Sequence, residues 1–168
     1  FAWVIENLLA PDGAATGIDP YKTQVLRGNR KPRGRVDIGL AVAESLCSQN
    51  LVPWGGRFKI HQMSAEACLC RWAHMWFAGQ MQTDSTPNFD LIYIDGDHFA
   101  PRALLDMMLA FEFLENGGIM IIDDFNRQFS RGAKQVRPAV MAFFDCYSNQ
   151  LEPFFFDQEQ IAFRKDSG

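Results

Sequence analysis

The 168-residue chain predicts an α/β protein with a Rossmann-like, mostly parallel sheet and helices on both faces. Three observations carry this expectation. Helix-period and strand-period segments alternate along the chain, which specifies βαβ units. The strand segments, such as "LIYI" (91–94) and "IMII" (119–122), are continuous apolar runs, as strands buried on both faces require. Both runs end in acid, as "LIYIDGDH" and "IMIIDDF", and ligands of open α/β sheets bind beyond the carboxyl ends of strands.

Each element follows from local pattern. "FAWVIENLLA" reads as a helix, with Phe1, Val4, Ile5, Leu8 and Leu9 on one face. A domain seldom starts inside a helix, so a preceding segment is expected. "PDGA" is a turn, and "ATGID" (15–19) a short strand ending in Asp19. The six basic residues of 21–35 mark an exposed loop. A helix over 36–50 is broken by "LVPWGG", and "RFKIHQ" (57–62) is the next strand. Ser64 then suits the N-cap of "AEACLCRWAHMWFAG". After the loop "TDSTPN", Phe89–Ile94 is a strand. Pro101 fits the first turn of a helix reaching about Glu115, stopped by "NGG". Ile119–Ile122 is a strand, 126–138 a polar basic loop, 139–150 a helix, and "PFFFDQEQIAFRK" a closing strand pair. With no internal repeat, low-complexity tract or linker, residues 1–168 are expected to form one domain, N-terminally incomplete.

Composition excludes several classes. A net charge of −4 leaves no global footprint for nucleic acid or an anionic membrane. No apolar run approaches the roughly 20 residues that cross a bilayer. Cys47, Cys68, Cys70 and Cys146 form no CxxC pair and no regular framework, as expected of reduced, mostly packed thiols in a cytoplasmic protein. Trp72, Met75 and Trp76 lie at helical spacing and read as core, and His61 and His74 as ordinary histidines.

The acidic strand ends carry the chemistry. Asp95 and Asp123 are 28 residues apart, about one βαβ unit, so their strands should be neighbours. Carboxylates converging there repel one another unless protonated or bridged by a cation. A hard divalent ion, Mg²⁺ above others, would resolve the repulsion; helix or turn capping would be the structural alternative. Asp19 ends the strand at 15–19; an acid ending the second strand of a nucleotide-binding α/β sheet commonly accepts hydrogen bonds from ribose hydroxyls, while "IDP" equally suits a turn. His98 lies three residues beyond Asp95, past a glycine that permits a tight turn, and can accept a proton near neutral pH; a helix-start histidine bonded to solvent or backbone is the alternative.

The pieces "FAWVIENLLAPDGAATGIDPY", "FKIHQMSAEACL", "FDLIYIDGDHFAPRALLD" and "LENGGIMIIDDF" together resemble class I S-adenosylmethionine-dependent methyltransferases. The likeness is greatest to the metal-dependent O-methyltransferases of the macrocin and cephalosporin-pathway type, with catechol-type enzymes as cousins. "PFFF" and "QIAFRK" resemble that fold's reversed last strand. The resemblance implies that Asp19, with Pro20 beside it, holds the cofactor ribose and that the segment around Ser64 lies by the adenine. It counts Asp95 among the cofactor contacts and implies that Asp95, Asp123 and Asp124 hold the divalent ion. His98 occupies the place of the base in some relatives and Asp97 in others. The family's first strand and Gly-rich loop should come before Phe1, so a chain starting there is expected to bind cofactor more weakly than one carrying them.

The expected reaction is methyl transfer to a small-molecule hydroxyl, without nucleic-acid or membrane partners and with a homo-oligomer left open. Three alternatives stand beside it. An NAD-dependent oxidoreductase would use Asp19 but not three neighbouring carboxylates. A P-loop ATPase would use "IMIIDD" and leave "IDGDH" unexplained. The third is a non-catalytic remnant of the fold.

Overall fold

The computed structural model describes residues 9–20, 40–80, 87–127 and 136–166. The expected helix at 1–10 and the loop at 21–35 fall almost wholly outside them. The chain divides into two compact units, Phe1–Cys68 and Leu69–Gly168.

In the first unit, β1 (Ala15–Ile18) pairs in parallel with β2 (Phe58–His61). Between them lie α1 (Leu40–Leu51) and a 3₁₀ segment, Val52–Arg57. That segment is kinked at Gly55, whose φ of 55° suits a residue without a Cβ. Arg57 ties the turn before β1 to the start of β2, its Nε donating to Gly13 O at 2.8 Å and its Nη2 to Ala10 O at 2.7 Å. Helix α2 (Ala65–Phe77) begins where Ser64 Oγ accepts the N–H of Ala67, the expected N-cap. The division between the units falls within this helix.

The second unit holds β3 (Phe89–Ile94), α3 (Ala100–Phe111), β4 (Leu114–Ile122), α4 (Val136–Tyr147), β5 (Leu151–Phe156) and β6 (Ile161–Lys165). Its strand order is β3-β4-β6-β5. β3 and β4 are parallel; β6 runs antiparallel to both β4 and β5. The reversed closing strand therefore stands as expected. Phe143 of α4 joins the layers, stacking edge-on against Phe111 of α3 and against Phe163 of β6. Trp72 packs against Phe89 and Phe113, while Trp76 is exposed, so the aromatic stripe of α2 is core only in part.

Several boundaries differ from expectation for physical reasons. α3 ends at Phe111 and β4 already begins at Leu114, so "NGG" lies within β4 rather than closing the helix. The ladder absorbs the extra residues in an irregularity between the Phe89 and Leu91 pairings, where Gly117 adopts φ 81°. α4 is described from Val136, with Pro138 inside its first described turn, where proline is tolerated. Leu91 and Tyr93, two residues apart on one face of β3, are exposed rather than buried, so that face is not covered as the apolar run suggested. Among the four free cysteines only Cys68 is buried; Cys70 and Cys146 are exposed. Among the described residues, no helix is long and apolar enough to cross a membrane.

Lys165 closes the second unit's last strand onto the α3–β4 junction. Its Nζ donates to Phe111 O at 3.0 Å and Leu114 O at 2.7 Å, against the Phe111 ring. Lys165→Met should leave both carbonyls without this donor and cost about 1–3 kcal/mol, measured as a shift in the urea unfolding midpoint.

Candidate functional site at the β3–β4 carboxyl edge

The parallel ladder between β3 and β4 continues one step past the strands, with Asp123 N–H donating to Ile94 O at 3.0 Å. That bond levels the two acidic ends. Asp95 leaves β3 where Asp123 and Asp124 leave β4, and "GDH" curls over the start of α3. Glycine at 96 serves close approach here, not a left-handed turn. A Cβ at that position would sit 3.1 Å from Oδ2 of Asp106, a buried carboxylate on α3.

The acidic residues have separated into distinct roles. Asp97 Oδ1 accepts the N–H of Phe99 at 2.8 Å, fixing the entry to α3. Asp123 is held from both sides: Tyr93 Oη donates to its Oδ2 at 2.8 Å, and Gln160 Nε2 to its Oδ1 at 3.2 Å. Asp124 is buried and adopts φ 58°, a left-handed conformation uncommon outside glycine. Arg127 Nη1 reaches both its oxygens, at 3.0 and 2.9 Å. His98 Nε2 lies 2.5 Å from Asp124 Oδ2 and 3.9 Å from Asp95 Oδ1.

Asp95, His98 and Asp124 thus form a group whose candidate ligand atoms lie within 4.8 Å of one another. Two carboxylates and an imidazole at that spacing fit a divalent cation with small side-chain adjustments. Of the acids expected to hold the ion, the structure brings Asp95 and Asp124 together and joins His98 to them. It engages Asp123 with Tyr93 and Gln160 instead. Burial, then the charges of Asp123 and Asp124, raise the Asp95 carboxyl above its ordinary range, against a lowering by His98 and Arg127. Although the residue is partly exposed, partial desolvation of its phenol, then the Asp123 hydrogen bond, push Tyr93 upward, so it stays a donor.

The first unit carries the other expected positions. Asp19 follows β1 with an exposed side chain, its N–H donating to His61 O at 3.1 Å; Pro20 beside it is half-buried. Ser64 lies three residues past the end of β2, so both occupy the carboxyl edge of the β1–β2 pair. An exposed carboxylate at such an edge suits ribose hydroxyls.

Sequence reasoning missed Tyr93, Arg127, Gln160 and Asp106. Arg127 stands three residues after Asp124 and Tyr93 two before Asp95, spacings that could have flagged them. Gln160 carries no local signal; only the β4–β6 pairing delivers it.

The architecture is that of class I methyltransferases. The structure matches the O-methyltransferase TomG from Streptomyces achromogenes, solved in complex with SAM, at TM-score 0.60 and 15% identity, covering 99% of this chain and 67% of that one. It also matches the MycE methyltransferase of the mycinamycin biosynthetic pathway, solved in complex with Mg, SAH and mycinamycin VI, at TM-score 0.52 and 12% identity. That match covers 92% of this chain and 45% of MycE. An uncharacterized protein of Acanthamoeba polyphaga mimivirus is 33% identical over 76 residues, which are 44% of this chain and 34% of that protein. The chain therefore matches about a third of the length of this curated relative. Residues 4–125 match the family described as a methyltransferase domain, and the chain belongs to that family.

The raised Asp95 carboxyl gives a signed prediction. The folded protein holds this proton more tightly than the unfolded chain, so the stability Asp95 contributes is full in acid and lost as pH rises through the raised value. With divalent ions chelated, Asp95→Asn should raise Tm at neutral pH by about 1–3 °C, since the group is half exposed. The gain should vanish in melts below the ordinary carboxylate range.

Proposed function

We propose that this protein transfers a methyl group from S-adenosylmethionine to a hydroxyl oxygen of a small molecule, assisted by a divalent cation, Mg²⁺ first. The observation that carries the reading is the convergence of Asp95, His98 and Asp124 at one strand edge in a methyltransferase-family chain. The SAM in TomG and the Mg and SAH in MycE support carrying both groups over. We take both units as one methyltransferase domain, because the family match runs through each, and place it in the cytoplasm.

When bound, the cofactor supplies the methyl as a sulfonium, and the cation supplies the Lewis acidity that makes a hydroxyl easier to ionise. Asp19 accepts hydrogen bonds from the ribose hydroxyls, and Ser64 borders the adenine. Asp95 and Asp124 are the carboxylates that hold the cation. His98 takes the acceptor's proton. Asp124 Oδ2, 2.5 Å from His98 Nε2, orients the ring. Asp97 is the weaker candidate for base, because one of its oxygens already serves the Phe99 N–H.

Calorimetry with S-adenosylhomocysteine tests the cofactor half. Asp19→Ala should weaken binding by about 1–3 kcal/mol, the scale of hydrogen bonds to a charged acceptor. Unchanged affinity removes Asp19 from the site, and no binding by the wild-type protein overturns the assignment. Chelation should abolish turnover, spare cofactor binding and be reversed by Mg²⁺; full activity in chelator sinks the metal-assisted mechanism.

His98→Ala should lower kcat by about 10²–10⁴ at unchanged cofactor affinity, while Asp97→Asn stays within a few fold. A loss in His98→Ala that excess Mg²⁺ restores would make the imidazole a ligand rather than the base. A larger loss in Asp97→Asn would transfer the role to Asp97.

A further inference from the structure

The Asp124 carboxylate already has a resident cation. Arg127 Nη1 sits between its two oxygens, at 3.0 and 2.9 Å, in the position a divalent ion would take for bidentate coordination. The left-handed backbone of Asp124 and its burial leave that carboxylate little freedom to turn elsewhere. Arg127, in contrast, has a side chain 51% exposed against 5% for Asp124, so the arginine is the partner on the solvent side of the pair. Its charge also acts on Asp95, the second carboxylate of the group, and on Glu159.

We infer that Arg127 is a built-in competitor of the divalent cation: it occupies Asp124 in the ion-free protein and sets how tightly the site takes an ion. The inference rests on the proposed cation site. With the guanidinium nitrogen between its two oxygens, Asp124 cannot take an ion bidentately in that position until the arginine yields. A positive charge a few ångströms from the site also repels a dication, weakly screened on its buried side. Occupancy by Arg127 thereby holds the acidic edge together without an ion and gives it up when the ion arrives. The opposite role is physically available to an arginine here. It could brace Asp124 in the orientation that coordinates, and removing it would then weaken ion binding.

The two roles predict opposite signs in direct binding, without substrate or turnover. Mn²⁺ is titrated into the full-length protein, with free ion followed by electron paramagnetic resonance and heats by calorimetry. Wild type, Arg127→Ala and Arg127→Lys are compared, with circular dichroism melts to establish folding. Arg127→Ala should bind Mn²⁺ about tenfold more tightly. Arg127→Lys, which keeps the charge but loses the planar donor between the oxygens, should fall between the two. If wild type binds and Arg127→Ala binds equally or more weakly, competition is overturned while the cation site stands. If wild type, Arg127→Ala and Arg127→Lys all fail to bind, the cation site itself is overturned, and this inference with it.

Discussion

Everything at the candidate site depends on the parallel pairing of β3 with β4. The ladder is held by apolar side chains: Met120 and Ile122 are fully buried, and Ile94 continues it into the hydrogen bond from Asp123. Because both strands run the same way, their acids emerge at the same edge. An antiparallel pair would have placed them at opposite ends. The cost of this arrangement is electrostatic, since three carboxylates converge at one strand edge.

The fold meets that cost with a separate device for each acid. Asp123 accepts from a phenol and an amide, Asp124 faces a guanidinium and an imidazole, and Asp95 keeps substantial solvent exposure. The devices come from different parts of the second unit. Tyr93 is on β3, Gln160 on the β5–β6 turn, and Arg127 just beyond β4. The turn is itself braced: Asp157 Oδ1 accepts two of its backbone N–H groups, and Glu159 O accepts the N–H of Phe125. The reversed strand β6 therefore does more than close the sheet, because it brings a polar side chain to an edge that parallel strands alone would leave purely acidic.

Strain and close packing are concentrated at the same place. Asp124 is the one non-glycine residue with positive φ among the described residues, and such conformations persist only where surroundings over-determine them. Here the surroundings are Arg127, His98 and the buried Phe125 that follows. Across the edge, Gly96 allows the Asp95–His98 loop to lie against Asp106 on α3. A Cβ there would meet Asp106 Oδ2 at 3.1 Å, tighter than ordinary contact, so the loop or that carboxylate would have to give. The geometry is thus a product of one backbone residue forced into an uncommon conformation and another with no side chain at all.

The sequence by itself determined which residues form β1, β2, β3 and β6, that β3 and β4 are parallel neighbours, and that Asp95, Asp123, Asp124 and His98 gather at one edge. Those features rest on short-range patterns: apolar runs, the length of a βαβ unit, and acids placed at run ends. It also carried enough family motif to mark the chain as a methyltransferase domain, and the family match over residues 4–125 bears this out. Element ends were less legible where glycine and proline have two meanings, as at Gly117 inside β4 and Pro138 inside α4. What only tertiary structure decided is which acid faces which partner. Three aspartates look alike in one dimension, whereas their hydrogen bonds depend on Tyr93, Gln160 and Arg127 arriving from three elements. The register of β6 against β4 and the backbone twist at Asp124 set those arrivals, and neither leaves a local trace in the chain.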